Sequence, residues 1–439
     1  MSISQSAPLG AASAVPLPAT DSHRRKQARR AVIAASIGNA LEWFDMIAYG
    51  TFALVIAKLY FPSASESSSL LMALATFGVS FLMRPLGAIV LGTYADRAGR
   101  KAALTASIFL MMIGTLLIVL VPTHAQIGVA ASVIILVARL IQGFSAGGEF
   151  GSATAFLIEY APDRRAYYAS WQVASQGAAI LLAAVFGAAL HAGLTQEQLE
   201  SWGWRVPFIF GLLIAPVGYY IRRHMDETPE FSAAEASESP LGDMFAGQKL
   251  RLAVTVGFVA LGSVGNYLAL YMPTYSIRQL GLPATIGFLA TLVTGVIMTV
   301  GSPFVGAWAD RIGPARIMTA TAALTAVLCY PLFYVLVSHP TVPVLMGVQV
   351  VLGLLATAYF APMPALMSAI FPVQVRTTGL SLGYNIAVTI FGGFAPFILT
   401  WLIDSTGSRL SPSYYLMAVA VMALVLSLIH ISEPTRPER

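Results

Sequence analysis

Five charged side chains lie inside long apolar stretches of this chain, and their types suggest ion-pair and proton chemistry. They are Glu42, Asp45, Arg84, Arg139 and Glu149. An ionisable residue in such a stretch is costly to bury, so each one is a candidate functional residue. A carboxyl group beside a guanidinium can exchange a proton, because its proton affinity depends on its neighbour. An arginine can also hold a carboxylate ligand through two parallel hydrogen bonds.

The spacing of these residues predicts which of them meet. Glu42 and Asp45 are three positions apart, so they share a helix face. Glu42 lies about eleven residues, roughly 16 Å, from the start of its stretch, and Arg84 lies about ten residues, roughly 15 Å, from the end of the next. We therefore expect the acids to meet Arg84 at mid-depth. Two interpretations stay open: a buried ion pair between the two helices, or an arginine that binds a carboxylate while an acid exchanges the proton.

Arg139 and Glu149 each allow a structural and a functional interpretation. Arg139 precedes Glu159 by twenty positions, so it belongs to the far half of its stretch. It either binds neighbouring helices or contacts a ligand. Glu149 follows two glycines, Gly147 and Gly148, which suits a close helix contact as well as a role in proton coupling.

Neutral polar residues elsewhere could complete a ligand site around Arg84. They are Gln172, Gln176, Asn266, Tyr267, Tyr271, Tyr359 and Asn385. Tyr267, Tyr271 and Tyr275 recur every four residues and so form one helical stripe. Packing or interfacial tyrosines are the alternative interpretation of this stripe.

The composition is that of a helical membrane protein. Of 439 residues 57% are hydrophobic and 10% charged, with mean hydropathy +0.75, whereas soluble domains are roughly 45–50% apolar and about 25% charged. The stretches are continuously apolar rather than alternating, which favours helices over a barrel. The single cysteine, Cys329, excludes an internal disulfide and a cysteine metal site. We expect no cofactor, no metal, no ATP site and no nucleic-acid partner.

The apolar stretches predict an all-α polytopic membrane protein with twelve spans. We place them at 31–58, 70–94, 102–121, 128–158, 167–190, 205–222, 250–277, 283–308, 316–337, 342–370, 377–403 and 414–430. With the N-terminus inside, seventeen basic residues fall in cytoplasmic segments and four outside, as the positive-inside rule requires. The basic run at 24–30 indicates a cytoplasmic anchor on anionic lipid.

The spans divide the chain into five segments. A cytoplasmic N-terminal tail, which we expect to be disordered, is followed by two pseudo-symmetric six-helix bundles joined by a polar cytoplasmic linker. The end of the chain resembles a translated sequencing adapter, so we expect an artefact in place of the natural C-terminus. The corresponding ranges are 1–30, 31–222, 223–249, 250–425 and 426–439.

A charged loop between spans two and three recurs between spans eight and nine. The pattern Gly92-x-x-x-Asp96-Arg97-x-Gly99-Arg100-Lys101 is echoed by Gly306-x-x-x-Asp310-Arg311-x-Gly313, 214 positions later. This pattern and its repeat resemble the signature of the major facilitator superfamily. The resemblance implies that the loops form a cytoplasmic gate between two halves. The implied gate residues are Asp96, Arg97, Arg100, Lys101, Glu159, Arg165, Asp310, Arg311 and Arg376.

Further stretches narrow the resemblance to the metabolite:proton symporter family. They include Gly38-Asn39-Ala40-Leu41-Glu42-Trp43-Phe44-Asp45, Phe81-Leu82-Met83-Arg84-Pro85-Leu86-Gly87 and Arg139-Leu140-Ile141-Gln142-Gly143. The family carries citrate, 2-oxoglutarate and other carboxylates, or proline and betaine. The resemblance implies a multi-pass inner-membrane symporter, functional as a monomer, that takes up protons with a small organic acid such as citrate.

Three alternatives to this interpretation stay open at this point. A zwitterionic osmolyte such as proline or betaine would be caged by aromatic residues instead of bound by arginine. A channel is disfavoured because the chain shows a two-half gated plan and no reentrant filter. A sensor or scaffold that shares the transporter plan is the third alternative.

Overall fold

The computed structural model describes residues 36–37, 39–98, 100–148, 154, 158, 162–212, 216, 248–371 and 376–432. Within this part of the chain every regular element is helical. The helices of the N-terminal half are α1 (Asn39–Thr51 and Ala53–Tyr60), α2 (Glu66–Ala98), α3 (Arg100–Leu120), α4 (Val129–Ser145), α5 (Arg165–Gly193) and α6 (206–212). Those of the C-terminal half are α7 (Lys249–Arg278), α8 (Ala284–Ile312), α9 (Pro314–Ser338), α10 (Val342–Phe360 and Met363–Ile370), α11 (Arg376–Thr406, in three pieces) and α12 (Ser411–Ser432).

Most of the described helices follow the predicted spans within a few residues, but α4 ends at Ser145, where the predicted span continued to 158. Seven are long and apolar enough to cross a membrane, an eighth is formed if the two pieces of α1 make one span, and three more described helices are apolar but shorter. Half of the predicted span 205–222 lies outside the described residues, as does nearly all of the linker 223–249. The fold class predicted from the sequence is confirmed.

Besides the two-residue turn within α10, three described helices, α1, α4 and α11, are interrupted where the sequence predicted continuous spans. The two pieces of α1 meet at Phe52 with a bend of 63°. After α4 the backbone tightens into a 3-10 turn at Ala146–Gly148, and α11 widens into a π-helical turn at Val388–Gly393. Such breaks are tolerated within a membrane only where protein or a cavity surrounds them. We therefore expect each break to be enclosed by protein or to line a cavity.

Within the N-terminal half, α2 and α4 approach each other backbone to backbone. A Cβ on Gly143 would overlap the carbonyl oxygen of Ser80, and one on Gly147 would overlap that of Arg84. Glycine is therefore required at both positions, since any larger residue would push the helices apart. This contact places Arg84 on α2 directly against the end of α4.

The two halves pack together most extensively along α5 and α8. Near the middle, a Cβ on Gly177 would lie 2.7 Å from the Cβ of Met298, and one on Gly295 would lie 2.7 Å from the backbone nitrogen of Leu181. Small residues at such contacts permit the close packing that replaces the hydrophobic effect inside lipid. A second contact between the halves is made by α2 and α11.

Candidate functional site

Arg84 lies at the centre of the interface between the halves, and its side chain is only 2% exposed. Its guanidinium stacks on the rings of Trp43, 5.2 Å from the centroid, and Phe81, 4.7 Å away. One terminal nitrogen, Nη2, contacts the sulfur of Met46 at 3.0 Å. Among the described residues its Nε has no hydrogen-bond partner. A buried cation with an unused donor is suited to bind an anion.

Side chains from both halves surround this guanidinium. The Tyr267 ring of α7 packs edge-on against Phe81, with centroids 5.5 Å apart, and lies 6.2 Å from Trp43. Tyr384 of α11 is within electrostatic range of Arg84 and of Glu42, which is half-buried. Glu42 and Arg84 are therefore both near Tyr384, and a direct contact between them stays a prediction.

Asp45 enters a different network from the one that its spacing suggested. Its Oδ2 accepts a hydrogen bond from the hydroxyl of Thr115 at 2.7 Å. The amide of Gln142 donates to that hydroxyl at 2.9 Å and accepts from Arg139 at 2.7 Å. Asp45 is thus connected to Arg139 through two neutral side chains. No described contact joins it to Arg84, although the face shared with Glu42 suggested one.

The second carboxylate oxygen of Asp45 is buried without a partner. Oδ1 packs against the backbone of Gly211, where a Cβ would overlap it, and no hydrogen bond reaches it from the described residues. A buried carboxylate that lacks donors is stabilised when it binds a proton. The proton-coupling role predicted for Asp45 stays a prediction.

Arg139 is completely buried and held on aromatic faces. Its guanidinium lies 4.6 Å from the centroid of Tyr49 and 5.2 Å from that of Phe77, and Nη2 is 3.4 Å from the hydroxyl of Ser80. These contacts join α1, α2 and α4, as the structural interpretation of Arg139 expected. Its charge also acts on Asp45, so the same residue can sense the state of that acid.

The predicted neutral polar residues divide into two groups. Tyr267 and Asn385 are buried at the interface, and Asn266, the residue before Tyr267, is also buried. The hydroxyl of Tyr267 and the Oδ1 of Asn266 lack partners among the described residues. The amide of Asn385 crosses between the halves and donates to the carbonyl of Gly147 at 2.8 Å. Gln176 lies beside Tyr384. Tyr267 therefore provides an unused hydroxyl on a ring that packs against Phe81, next to Arg84.

The second group bonds inside its own half. Tyr359 donates to the carbonyl of Phe258 at 3.0 Å, and Tyr271 accepts from Thr400 at 3.0 Å. Gln172 accepts from Thr154 through Oε1 at 2.6 Å, and its carbonyl accepts from Asn39 at 3.1 Å. The tyrosine stripe therefore splits: Tyr267 faces the N-terminal half, and the rest of the stripe packs within the C-terminal half.

Asp310, from the second copy of the charged loop, caps the first turn of α5. Its two carboxylate oxygens accept from the backbone nitrogens of Ala166 at 2.8 Å and Tyr167 at 3.0 Å. A negative charge is favoured at a helix N-terminus, where backbone N–H groups lack helical partners. This contact links the end of α8 to the start of α5, at the end predicted to be cytoplasmic. Arg165 and Arg311 are exposed close by.

The structure describes the remaining predicted gate residues only in part. Asp96, Arg97, Arg100 and Lys101 lie in the last turn of α2 and the first turn of α3, and Arg376 begins α11. The described part of the chain includes none of their side chains. Glu149 and Glu159 lie outside the described residues altogether. Their predicted roles stay predictions.

Four residues of the site were not predicted from the sequence. Gln142 lies three positions after Arg139 on the same helix face, which is a signal that could have found it. Trp43 and Phe81 lie within the quoted motifs but were not assigned to the ligand site. Thr115 sits in an apolar run, and nothing in its local sequence distinguishes it from a packing residue.

Comparison with known proteins decides the family. A family model described as "Sugar (and other) transporter" matches residues 31–243, and one described as "Major Facilitator Superfamily" matches residues 283–439. A citrate-proton symporter of Klebsiella pneumoniae is 38% identical over 400 residues, which cover 90% of each chain. The chain belongs to the major facilitator superfamily. The named relative also confirms the resemblance to the metabolite:proton symporter family within it.

Other relatives of this facilitator carry different names. A proline/betaine transporter of Salmonella typhimurium is 32% identical over 425 residues, covering 93% of this chain and 84% of the relative. A structure of the xylose transporter XylE from E. coli matches with a TM-score of 0.73 at 15% identity, covering 94% of this chain and 99% of its own. That structure supports the fold alone. The named relatives are transporters, so this facilitator is a transporter and not an enzyme.

The Asp310 cap of this facilitator leads to a first prediction. We expect Asp310→Ala to open the α5–α8 end of the interface, because two charge-assisted hydrogen bonds to a helix N-terminus are lost. In a Cys329→Ala background, a cysteine introduced at the buried Ser170 should react with a maleimide about five- to tenfold faster. Ser170 is a sensitive position because a Cβ on Gly306 of α8 would lie 2.5 Å from its hydroxyl.

The control for that experiment is Asp404→Ala, which removes an exposed acid at the end of α11. We expect this variant to leave the labelling rate unchanged. An equal rate in the Asp310→Ala protein and its parent would show that the cap does not hold the interface closed.

Proposed function

We propose that this transporter is a proton-coupled symporter for a small organic acid, such as citrate or another di- or tricarboxylate, and that it works by alternating access. The observation that carries the proposal is the buried Arg84 at the interface of the halves, whose Nε has no hydrogen-bond partner among the described residues. Repeated halves of this kind place the substrate at their interface near the midplane. A fixed cation there favours an anionic substrate.

Polar atoms around Arg84 support a substrate with several oxygens. The hydroxyl of Tyr267 and the amide of Gln176, which lies beside Tyr384, are buried and come from opposite halves. Asn266, the residue before Tyr267, is buried as well. A carboxylate on Arg84 leaves a second carboxylate or hydroxyl of the substrate free to reach these groups. The named citrate-proton symporter among the relatives supports the same class.

Proton coupling is assigned to Asp45 and to its connection with Arg139. The carboxylate accepts one hydrogen bond from Thr115 and has an unpartnered oxygen against Gly211. Its proton affinity therefore depends on the Arg139 guanidinium, which the Gln142 and Thr115 side chains connect to it. Glu42 lies nearer to Tyr384 and Arg84, which suits a second acid that responds to the substrate.

A zwitterionic osmolyte is the second candidate substrate. Relatives at 32–36% identity are named as proline/betaine transporters or as putative proline/betaine transporters. The aromatic cluster of Trp43, Phe81 and Tyr267 has the character of a cage for a quaternary ammonium. The Arg84 guanidinium already lies on two of these rings. A cationic substrate would have to compete with it, which is why we favour the anion.

The test is uptake by purified protein in liposomes with an alkaline interior. We expect accumulation of citrate or a dicarboxylate above its external concentration, and loss of that accumulation when a protonophore collapses the gradient. Proline and betaine serve as competing substrates in the same assay. Accumulation of betaine but of no carboxylate would replace the leading proposal with the second, and gradient-insensitive entry would indicate a channel.

A further inference from the structure

The helix that carries Arg84 contains a proline in its interior, and this proline frees a backbone carbonyl. Pro85 lies within α2 (Glu66–Ala98) and has no N–H group. The carbonyl four residues earlier, that of Phe81, therefore lacks its normal helical donor. Phe81 is completely buried, so this carbonyl needs a partner from elsewhere in the protein.

The partner comes from the opposite half of the transporter. The hydroxyl of Thr389 on α11 donates to the Phe81 carbonyl at 2.9 Å, and both residues are buried. Thr389 lies in the π-helical turn Val388–Gly393, a helix type that often marks functional sites. The bond exists only while α2 and α11 are in contact.

The same two helices interlock on either side of that bond. A Cβ on Gly393 would overlap the ring of Phe81, and a Cβ on Gly78 would lie 2.6 Å from the ring of Phe394. Each aromatic ring thus fits against a glycine of the other half. This fit brings the backbone of α11 close enough for a short threonine side chain to reach the Phe81 carbonyl.

Phe81 joins this contact to the substrate region. Its carbonyl accepts the bond from Thr389, and its ring lies 4.7 Å from the Arg84 guanidinium. The same ring packs edge-on against Tyr267 of α7, at 5.5 Å. One residue is therefore in contact with the cation of one half and with two helices of the other.

At their far ends the halves also touch. Arg278 at the end of α7 donates to the hydroxyl of Ser67 at 3.0 Å, beside the start of α2. Asp310 links α8 to α5 at the other end. The Thr389 bond is thus part of an arrangement in which the halves meet at both ends and in the middle.

We infer that Thr389 is a positioning residue for transport, whose hydroxyl stabilises the closed arrangement of α2 and α11 by bonding the carbonyl that Pro85 leaves free. Closure places α11 against Phe81, beside Arg84, while the substrate is enclosed. The inference rests on the proposed transport function but not on which substrate is carried. The bond must form and break in each cycle, so its loss slows turnover and leaves binding to Arg84 unaffected.

The test is a double-mutant cycle between Thr389 and Pro85. Thr389→Val keeps the shape of the side chain and removes the donor, and we expect turnover to fall about five- to tenfold with substrate Kd unchanged within about twofold. Thr389→Ser keeps the donor and should retain more than half of the turnover. In a Pro85→Ala background the introduced alanine supplies the missing N–H, so adding Thr389→Val should reduce turnover less than about twofold.

Thr325→Val is the matched control, because Thr325 is a buried threonine of the C-terminal half whose hydroxyl bonds within its own helix. It should leave turnover unchanged. An equal loss from Thr389→Val in both backgrounds, or an equal loss from the serine and valine variants, would overturn the inference. If Pro85→Ala does not fold, the serine and valine comparison decides alone.

Thermal stability of the substrate-free protein separates this inference from the proposed function. The effects of Thr389→Val and Pro85→Ala on Tm should also be non-additive, and Tm is a measurement that needs no substrate. Coupling in Tm with unchanged turnover would reduce Thr389 to a structural role and overturn the inference. Coupling in Tm in a protein that accumulates none of the tested compounds would contradict the proposed function while leaving the bond itself demonstrated.

Discussion

Arg84→Ala should nearly abolish carboxylate uptake, with a loss of roughly thirtyfold to several-thousandfold in kcat/KM. The physical reason is that the guanidinium is the buried cation at the interface, 2% exposed and with an unused donor. Leaving a substrate carboxylate buried without its counter-charge costs roughly 2–5 kcal/mol, and every 1.4 kcal/mol is about a factor of ten. Initial rates in liposomes with a fixed pH gradient measure the effect.

Two further variants make the Arg84 result specific. Arg84→Lys keeps the charge but loses the planar fork and the stacking on Trp43 and Phe81, so we expect an intermediate rate. Arg409→Ala, at an exposed arginine of the C-terminal half, should transport normally. Gel filtration and Tm must show that Arg84→Ala is inserted and folded. Normal uptake by that protein would exclude Arg84 as the substrate anchor.

Asp45→Asn should abolish proton-driven accumulation while retaining substrate exchange. Asparagine resembles the protonated carboxyl group in shape and charge, so the neutral form of the site becomes permanent. We expect the accumulation ratio to fall to about one, and counterflow of labelled substrate to stay within about threefold of the parent. The dependence of uptake on external pH should flatten, because the group that takes up the proton is gone.

Glu42→Gln is the matched comparison for Asp45, since both acids lie on α1 but contact different partners. Glu42 lies near Tyr384 and Arg84, whereas Asp45 bonds Thr115 and connects to Arg139. We expect Glu42→Gln to weaken substrate binding and to keep accumulation coupled to the gradient. If Asp45→Asn still accumulates substrate and Glu42→Gln does not, the proton site is Glu42.

The sequence predicted the large features of the fold because they follow from local rules. Hydrocarbon requires each crossing segment to satisfy its own backbone bonds, so apolar length alone indicates the spans. The repeat of the loop at Asp96 around Asp310 showed two halves, and the structure places Asp310 at the contact between them. The buried charges were also visible, since a charged residue in an apolar run is conspicuous.

The partners of those charges could not be predicted in the same way. The spacing of Glu42 and Asp45 indicates a shared helix face, but a face is wide enough to contact two neighbouring helices. In the structure Asp45 bonds Thr115 on α3 and is connected through it to Arg139 on α4. Arg84 instead contacts Trp43, Phe81 and Met46. Which neighbour is reached depends on the rotation of each helix about its own axis.

The sequence by itself determined the membrane class, the order of the spans, the two repeated halves and the presence of three charges that the structure buries, Asp45, Arg84 and Arg139. The tertiary structure decided the pairings: Asp45 with Thr115, Asn385 with Gly147, and Thr389 with the carbonyl that Pro85 frees. The first set depends on composition and spacing along one chain segment. The second set depends on how closely two helices from distant parts of the chain approach, and small residues such as Gly147 and Gly393 control that distance.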